Sequence, residues 1–251
     1  MTRQPQQATL EPETAAEDRA GTLRLIQIHF SHNCLKVRLA LAHKGVAYEL
    51  EEIRPVERGS VIAVSGQEFV PVLVAGDRAV ADSTAILQNL EQIGPDPPLV
   101  PADPALRAEC WRLVEWADQT FMALSRRIAY RSAFAVPGLV GSLFFPSLSE
   151  QERRAREAFV EPIVCARFGI AEEGHEPDLA DARTAASDAV RRLADGPYLL
   201  GEELTVADIA LASMSYPLVR SPELASDLDV GRLLAWGEPV VAMDQLPRAT
   251  P

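Results

Sequence analysis

Between residues 94 and 98 the chain reads Gly-Pro-Asp-Pro-Pro, and neither a helix nor an interior strand can run through it. Each proline fixes φ and removes an N–H donor, so regular structure ends on one side and restarts on the other. The break splits the 251 residues into two parts of different character. Before it, apolar residues alternate in short runs that read as strands, separated by helical spacing. After it, from Ala105 on, only helical spacing recurs: Ala105–Ala133, Glu150 to about Phe168, Asp178–Asp195 and Thr205 onward. The pattern predicts an α/β domain over residues 23–93, a linker over 94–104 and an all-helical domain over 105–251. Residues 1–22 are polar, hold Pro5 and Pro12, and read as a disordered leader.

Within the first part, Leu23–Phe30 reads as a buried strand, Asn33–Lys44 as a helix closed by Gly45 in the left-handed region, and Val46–Ile53 as a second strand. An irregular segment around Pro55 and Gly59 follows. Phe69–Val74, Gly76-Asp77 and Ala79–Ala81 make a hairpin, and Asp82-Ser83 opens a helix through Leu90. The order is strand–helix–strand, then strand–strand–helix.

The first strand runs directly into Ser31-His32-Asn33-Cys34, a turn that opens a helix. Unpaired N–H groups and the positive end of the helix dipole favour negative charge there. A hydroxyl and a thiol at such a place read as thiolate chemistry. Cys34 falls in the first helical turn, where thiol pKa values drop, although a small buried core residue fits the same position. His32 is a candidate base or substrate contact. Asp82-Ser83 offers a hydroxyl and free N–H groups to a carboxylate, or serves as a plain helix cap. Pro71 within an apolar run marks, on residues alone, an edge strand or a special backbone step.

Composition narrows the classes. A net charge of −12 argues against nucleic acid or an anionic membrane as partner. Arg153, Arg154 and Arg156 alternate with Glu150, Glu152 and Glu157 and read as a solvated helix face. No apolar run has the length to span a bilayer. Three distant cysteines, Cys34, Cys110 and Cys165, form neither a disulfide framework nor a zinc site, so no metal is expected and a reducing cytoplasm fits.

Taken together, the Ser31–Leu41 turn and helix, Val70-Pro71, Asp82-Ser83 and Gly201-Glu202-Glu203-Leu204-Thr205-Val206-Ala207-Asp208 resemble the cytosolic glutathione transferases, from about Leu23 to about Met214. The resemblance implies a thioredoxin-like N-terminal domain followed by an all-α domain, a homodimer, glutathione as co-substrate and a small hydrophobic electrophile as partner. In that family the bond before Pro71 is cis, and Val70 pairs with the extended peptide as an added strand. Ser83 would bind the γ-glutamyl carboxylate and Asp82 would face its ammonium. Ser31 would donate a hydrogen bond to the glutathione thiolate, while Cys34 holds the position of the buried resolving cysteine of glutaredoxin-like proteins. Thr205 and Asp208 would form the buried capping box of the helical domain.

The second substrate would meet the helical domain, with Trp116, Phe121 and Tyr130 as candidates by chain position. Asp118 and Gln119 would reach the site of a neighbouring subunit. Ser65-Gly66-Gln67-Glu68-Phe69 departs from the family's Asn-Pro-x-Gly-Lys-like lead, which leaves Arg54 or Arg58 for glutathione's glycine carboxylate. Pro137–Pro177 matches no family pattern. The implied activity is addition of glutathione to an apolar electrophile, or a glutathione-assisted isomerisation or cleavage. A Cys34-dependent thiol–disulfide oxidoreductase and a non-catalytic ligand-binding protein are the other readings of the same fold.

Overall fold

The structure, a computed structural model, describes residues 23–93, 96–194 and 196–245. The leader expected over residues 1–22 lies outside them. Two compact units are present: residues up to Val100 together with Met243 onward, and Pro101–Ala242.

The first unit is built on a four-stranded sheet in the order β2-β1-β3-β4, from β1 (Arg24–Gln27), β2 (Glu49–Glu52), β3 (Val72–Ala75) and β4 (Arg78–Ala81). β1 runs parallel to β2 and antiparallel to β3, and β3 pairs with β4 as the expected hairpin. Helices α1 (His32–His43), α2 (Gly59–Ser65) and α3 (Ser83–Ile93) complete the unit. Alternation decides which face each strand residue covers. Ile26, Ile28, Ile53, Val72 and Val74 form one apolar cluster with Val61 of α2. Leu25, Gln27 and Leu73 alternate with them and therefore point to the opposite face. Gly45 follows α1 at φ 62°, where a left-handed C-terminal residue was expected.

Sequence reasoning missed α2, which replaces the irregular segment around Gly59. Only Val61 of its seven residues is buried, so no apolar period exists to announce it. Gly66, at φ 69°, ends it.

The second unit is helical: α4 (Pro104–Phe134), α5 (Leu139–Phe144), α6 (Glu150–Phe168), α7 (His175–Arg192), α8 (Val206–Ser215) and α9 (Leu228–Ala242). Asp103 caps α4, its carboxylate accepting from the Ala105 and Leu106 N–H groups at 2.9 Å, with Pro104 in the first helical turn. The predicted box at α8 is present: Asp208 accepts from the Thr205 N–H and hydroxyl, both at 2.9 Å, and from the Leu199 N–H at 2.8 Å. Asp178 of α7 takes both Arg127 and Arg131 of α4, at 2.5 and 2.9 Å, which ties these two helices together.

The unmatched segment folds as α5 and α6. Ser149 and Glu152 form a capping box on α6. The buried Glu157 turns back to accept from the Gly138 and Gly141 N–H groups at 2.8 and 2.6 Å, which satisfies the start of α5. A Cβ at Gly141 would stand 2.5 Å from the Arg153 carbonyl oxygen, so the approach of α5 to α6 requires glycine there. Phe159 and Ile163 of α6 remain exposed.

Candidate active site

Strand register alone gathers the first-unit candidates. Ile26 is paired with Val72 and Val72 with Ala81. Continuing that register one or two residues places Ile28, Val70-Pro71 and Asp82 at the same end of the sheet. α1 starts from the end of β1 and α3 from the end of β4, so both helices present their N-termini there. Two positive dipole ends and their unpaired N–H groups make this end of the sheet suited to anions. The Lys36 ammonium of α1 donates to the Thr84 hydroxyl of α3 at 3.3 Å, so the first turns of the two helices are neighbours. Lys36 is fully buried.

Ser31 is the N-cap of α1, with extended backbone, and its oxygen accepts from the Cys34 N–H at 3.4 Å. Capping uses an oxygen lone pair, so the hydroxyl proton is donated elsewhere, with the Cys34 sulfur one acceptor in reach. The side chain is half-buried, so a ligand can reach it. The Val70–Pro71 bond is cis. Asp82 caps α3: its carboxylate accepts from the Thr84 and Ala85 N–H groups at 2.9 and 3.0 Å. Its backbone stands at φ 79°, the one positive φ recorded for a non-glycine residue among the described residues. That conformation is strained for an L-residue and tolerated best by Asp, Asn and Gly. It turns the chain so that Ser83 begins the helix. Ser83 is buried at the start of α3.

Cys34 has the surroundings of the buried-core reading rather than those of a low-pKa thiol. Its position in the first turn of a helix argues for a lowered pKa, and the structure gives the reverse. The side chain is fully buried, and desolvation raises its pKa to about 11. Hydrogen bonds with the Ile28 backbone and Ser31, and the Arg38 charge, pull the other way and lose. Burial thus disfavours the Cys34 thiolate, the form a nucleophile needs. Cys34→Ala is expected to keep glutathione-dependent activity within about threefold, since it deletes only a small buried group. Iodoacetamide at pH 7.5 is expected to leave Cys34 unlabelled in the folded protein by peptide mass mapping; rapid labelling would contradict the burial argument.

The remaining candidates have mostly structural surroundings. His32, the candidate base or substrate contact, is the first residue of α1 and buried. Trp116 meets Phe121 edge-on at 6.2 Å and lies under the Arg192 guanidinium at 4.5 Å. Tyr130 stacks on Phe134 and Phe168 at 6.0 and 5.5 Å, beside the apolar cluster of α5 and α6. Arg54 pairs with Glu57 at 2.8 Å and Arg58 donates to the Pro55 carbonyl at 3.0 Å, so both make local bonds. No group of His, Cys, Asp and Glu among the described residues is arranged to hold a metal.

One set of site-adjacent groups escaped the sequence entirely. Arg38 and Gln27, both buried, face each other between α1 and β1, with the Arg38 guanidinium donating to the Gln27 carbonyl at 2.5 Å. A cation inside an otherwise apolar helix and an amide inside an alternating strand were the available signal, since buried polar groups need partners.

Comparison with known proteins agrees with this layout. Residues 25–98 match the family model described as glutathione S-transferase, N-terminal domain. A stringent starvation protein A homolog from Pasteurella multocida is 32% identical over 97 residues, which are 38% of this chain and 46% of that protein. The chain thus spans under half the length of the curated relatives it matches first. Among solved structures, a β-etherase from Sphingobium sp. strain SYK-6 shares the fold, with TM-score 0.69 and 21% identity over 90% of this chain and 99% of that one. A glutathione S-transferase from Methylobacterium radiotolerans, in complex with glutathione sulfonate, is 26% identical at TM-score 0.62 over 92% and 97% of the two chains. From β1 through α3 this chain is thus similar to the N-terminal domain of the glutathione S-transferases.

Proposed function

We propose that this protein binds glutathione at the end of the first-unit sheet and activates its thiol for attack on a small apolar electrophile. The observation that carries the reading is the convergence of two helix N-termini on one sheet end, with a serine at each. Ser83 and the start of α3 take the γ-glutamyl carboxylate. Asp82, whose carboxylate keeps acceptor capacity beyond its two capping bonds, takes the ammonium. Val70 pairs with the peptide backbone as an edge strand would. Ser31 donates its hydroxyl proton to the sulfur, and the start of α1 adds its dipole.

Favouring the thiolate by two pKa units requires about 2.7 kcal/mol. A charge-assisted hydrogen bond of about 1.5–3 kcal/mol together with a helix end of about 0.3–1 kcal/mol covers it. Attack by the bound thiolate, held beside the electrophile, then gains from orientation. Whether the outcome is transfer, isomerisation or cleavage depends on the second substrate; the fold shared with a β-etherase makes an ether-cleaving variant a sensible member of the first screen. We propose further that the protein is cytoplasmic and a homodimer.

Isothermal titration of glutathione into wild type and Ser83→Ala tests the binding mode. Wild type is expected to bind, with affinity reduced about tenfold to a hundredfold in the variant, the loss of one or two hydrogen bonds to a charged group. Equal affinities would remove Ser83 from the site, and absence of binding in wild type would remove the reading.

A further inference from the structure

The last described turn of the chain returns to the first unit, and its Asp244 carboxylate accepts from the Arg38 Nε of α1 at 2.8 Å. Arg38 is 3% exposed, and its Nη1 donates to the Gln27 carbonyl oxygen at 2.5 Å. The Gln27 amide Nε2 in turn donates to a Glu52 oxygen at 2.7 Å, and the other Glu52 oxygen accepts from the His29 backbone N–H at 2.5 Å. Four bonds therefore run without a gap from the C-terminal turn to the β1–α1 turn, two residues before Ser31. None is a bond of the regular sheet or helix ladder, and their partners lie 206, 11, 25 and 23 residues apart.

We propose that Asp244, Arg38, Gln27 and Glu52 act as positioning residues that hold the His29–Ser31 turn, and so aim the Ser31 hydroxyl, from the C-terminal end of the chain. Each link has a physical reason to depend on the next. A buried guanidinium without a carboxylate is expensive, so Asp244 fixes where Arg38 sits. Arg38 fixes which way the Gln27 amide faces, because only its oxygen can accept from a guanidinium. The amide group is then left to donate, which orients Glu52, and a carboxylate with one oxygen held presents the other to the His29 N–H. Ser31 has its own bond in this turn, its N–H donating to the Ile28 carbonyl at 3.0 Å. A hydroxyl that must meet a sulfur within a few tenths of an ångström depends on that support.

The consequence for thiol chemistry rests on the glutathione reading, whereas the coupling itself does not. Hydrogen exchange on the full chain without ligand tests the coupling. Asp244→Asn is expected to speed exchange of the His29–Asn33 amides about tenfold, with the Leu25 and Leu73 amides of the sheet unchanged. Gln27→Met cuts the chain in the middle and leaves the Arg38–Asp244 ion pair intact, so it keeps the proposal testable if Asp244→Asn opens the whole unit. It is expected to give the same rise at His29–Asn33. Wild-type exchange there in Gln27→Met would overturn the proposal. The double variant Asp244→Asn/Gln27→Met should exchange no faster at that turn than the faster single variant; effects that multiply would also overturn it, since independent sites add in free energy. In a second arm, both single variants are expected to raise the pKa of bound glutathione's thiol while binding the peptide with an affinity within about threefold of wild type. If wild type binds no glutathione, that arm speaks against the functional reading, and the exchange result still decides the coupling.

Discussion

Ser31→Ala is expected to lower kcat/KM for a glutathione-dependent reaction about 10²-fold at pH 7. The Ser31 oxygen already serves as acceptor for the Cys34 N–H, so the proton it has left is the one a thiolate would take. Losing a charge-assisted hydrogen bond of about 1.5–3 kcal/mol corresponds to about 10- to 150-fold. The loss should show a particular pH signature. The hydroxyl stabilises the thiolate, so removing it raises the thiol pKa. Activity should then recover as pH rises by about two units, while KM for glutathione stays close to wild type. The missing cap costs about 1 kcal/mol in stability, a shift of a few degrees in Tm that a thermal melt separates from the catalytic loss. A variant within twofold of wild type across the pH range would mean that another group stabilises the sulfur.

The second large effect is expected far from the chemistry. Asp208→Ala should destabilise the helical unit by about 3–5 kcal/mol, much of the roughly 5–15 kcal/mol that holds a domain folded. Asp208 is fully buried, and its carboxylate is the acceptor for two N–H groups and a hydroxyl that would otherwise be stranded. Thr205→Ala should cost about 1–2 kcal/mol, since the box loses its hydroxyl while Asp208 still holds both N–H groups. Burial pushes the Asp208 carboxyl above its ordinary 3.8, against the pull of the Leu199 and Thr205 donors. The sign follows from linkage: a raised folded pKa adds stability below pH 3.8 and loses it as pH rises past the folded value. Acid unfolding should therefore not begin at Asp208. Chemical denaturation of wild type and both variants between pH 3 and 7 checks the order, and an Asp208→Ala protein as stable as wild type would contradict it.

Local rules read from the chain located most of the elements that carry the candidate site. The Ser31 turn, the hairpin and the Asp82-Ser83 helix start all lie within a few residues of their causes, and propensity and capping are local quantities. What failed was set by distance along the chain. The pKa of Cys34 follows from burial between α1 and its neighbours, which no helix-terminus rule contains. The partner of Arg38 lies 206 residues away, beyond any spacing argument. Short elements failed for a different reason: α2 buries one residue, and α5 has six residues and starts on Gly138 without a side-chain cap, so neither offers a period or a start signal. Asp82-Ser83 was read both as a ligand contact and as a plain helix cap, and the geometry shows the cap, with two Asp82 acceptor bonds to α3.

If this sheet end holds a thiolate, the pKa of glutathione's thiol when bound measures it directly. Ultraviolet absorbance of the thiolate, followed against pH in wild type with glutathione in excess over its Kd, gives that value. The bound thiol is expected to titrate about two units below the ordinary thiol value of about 8.5 and to return toward it in Ser31→Ala. A bound thiol that titrates at its free value in wild type would contradict it.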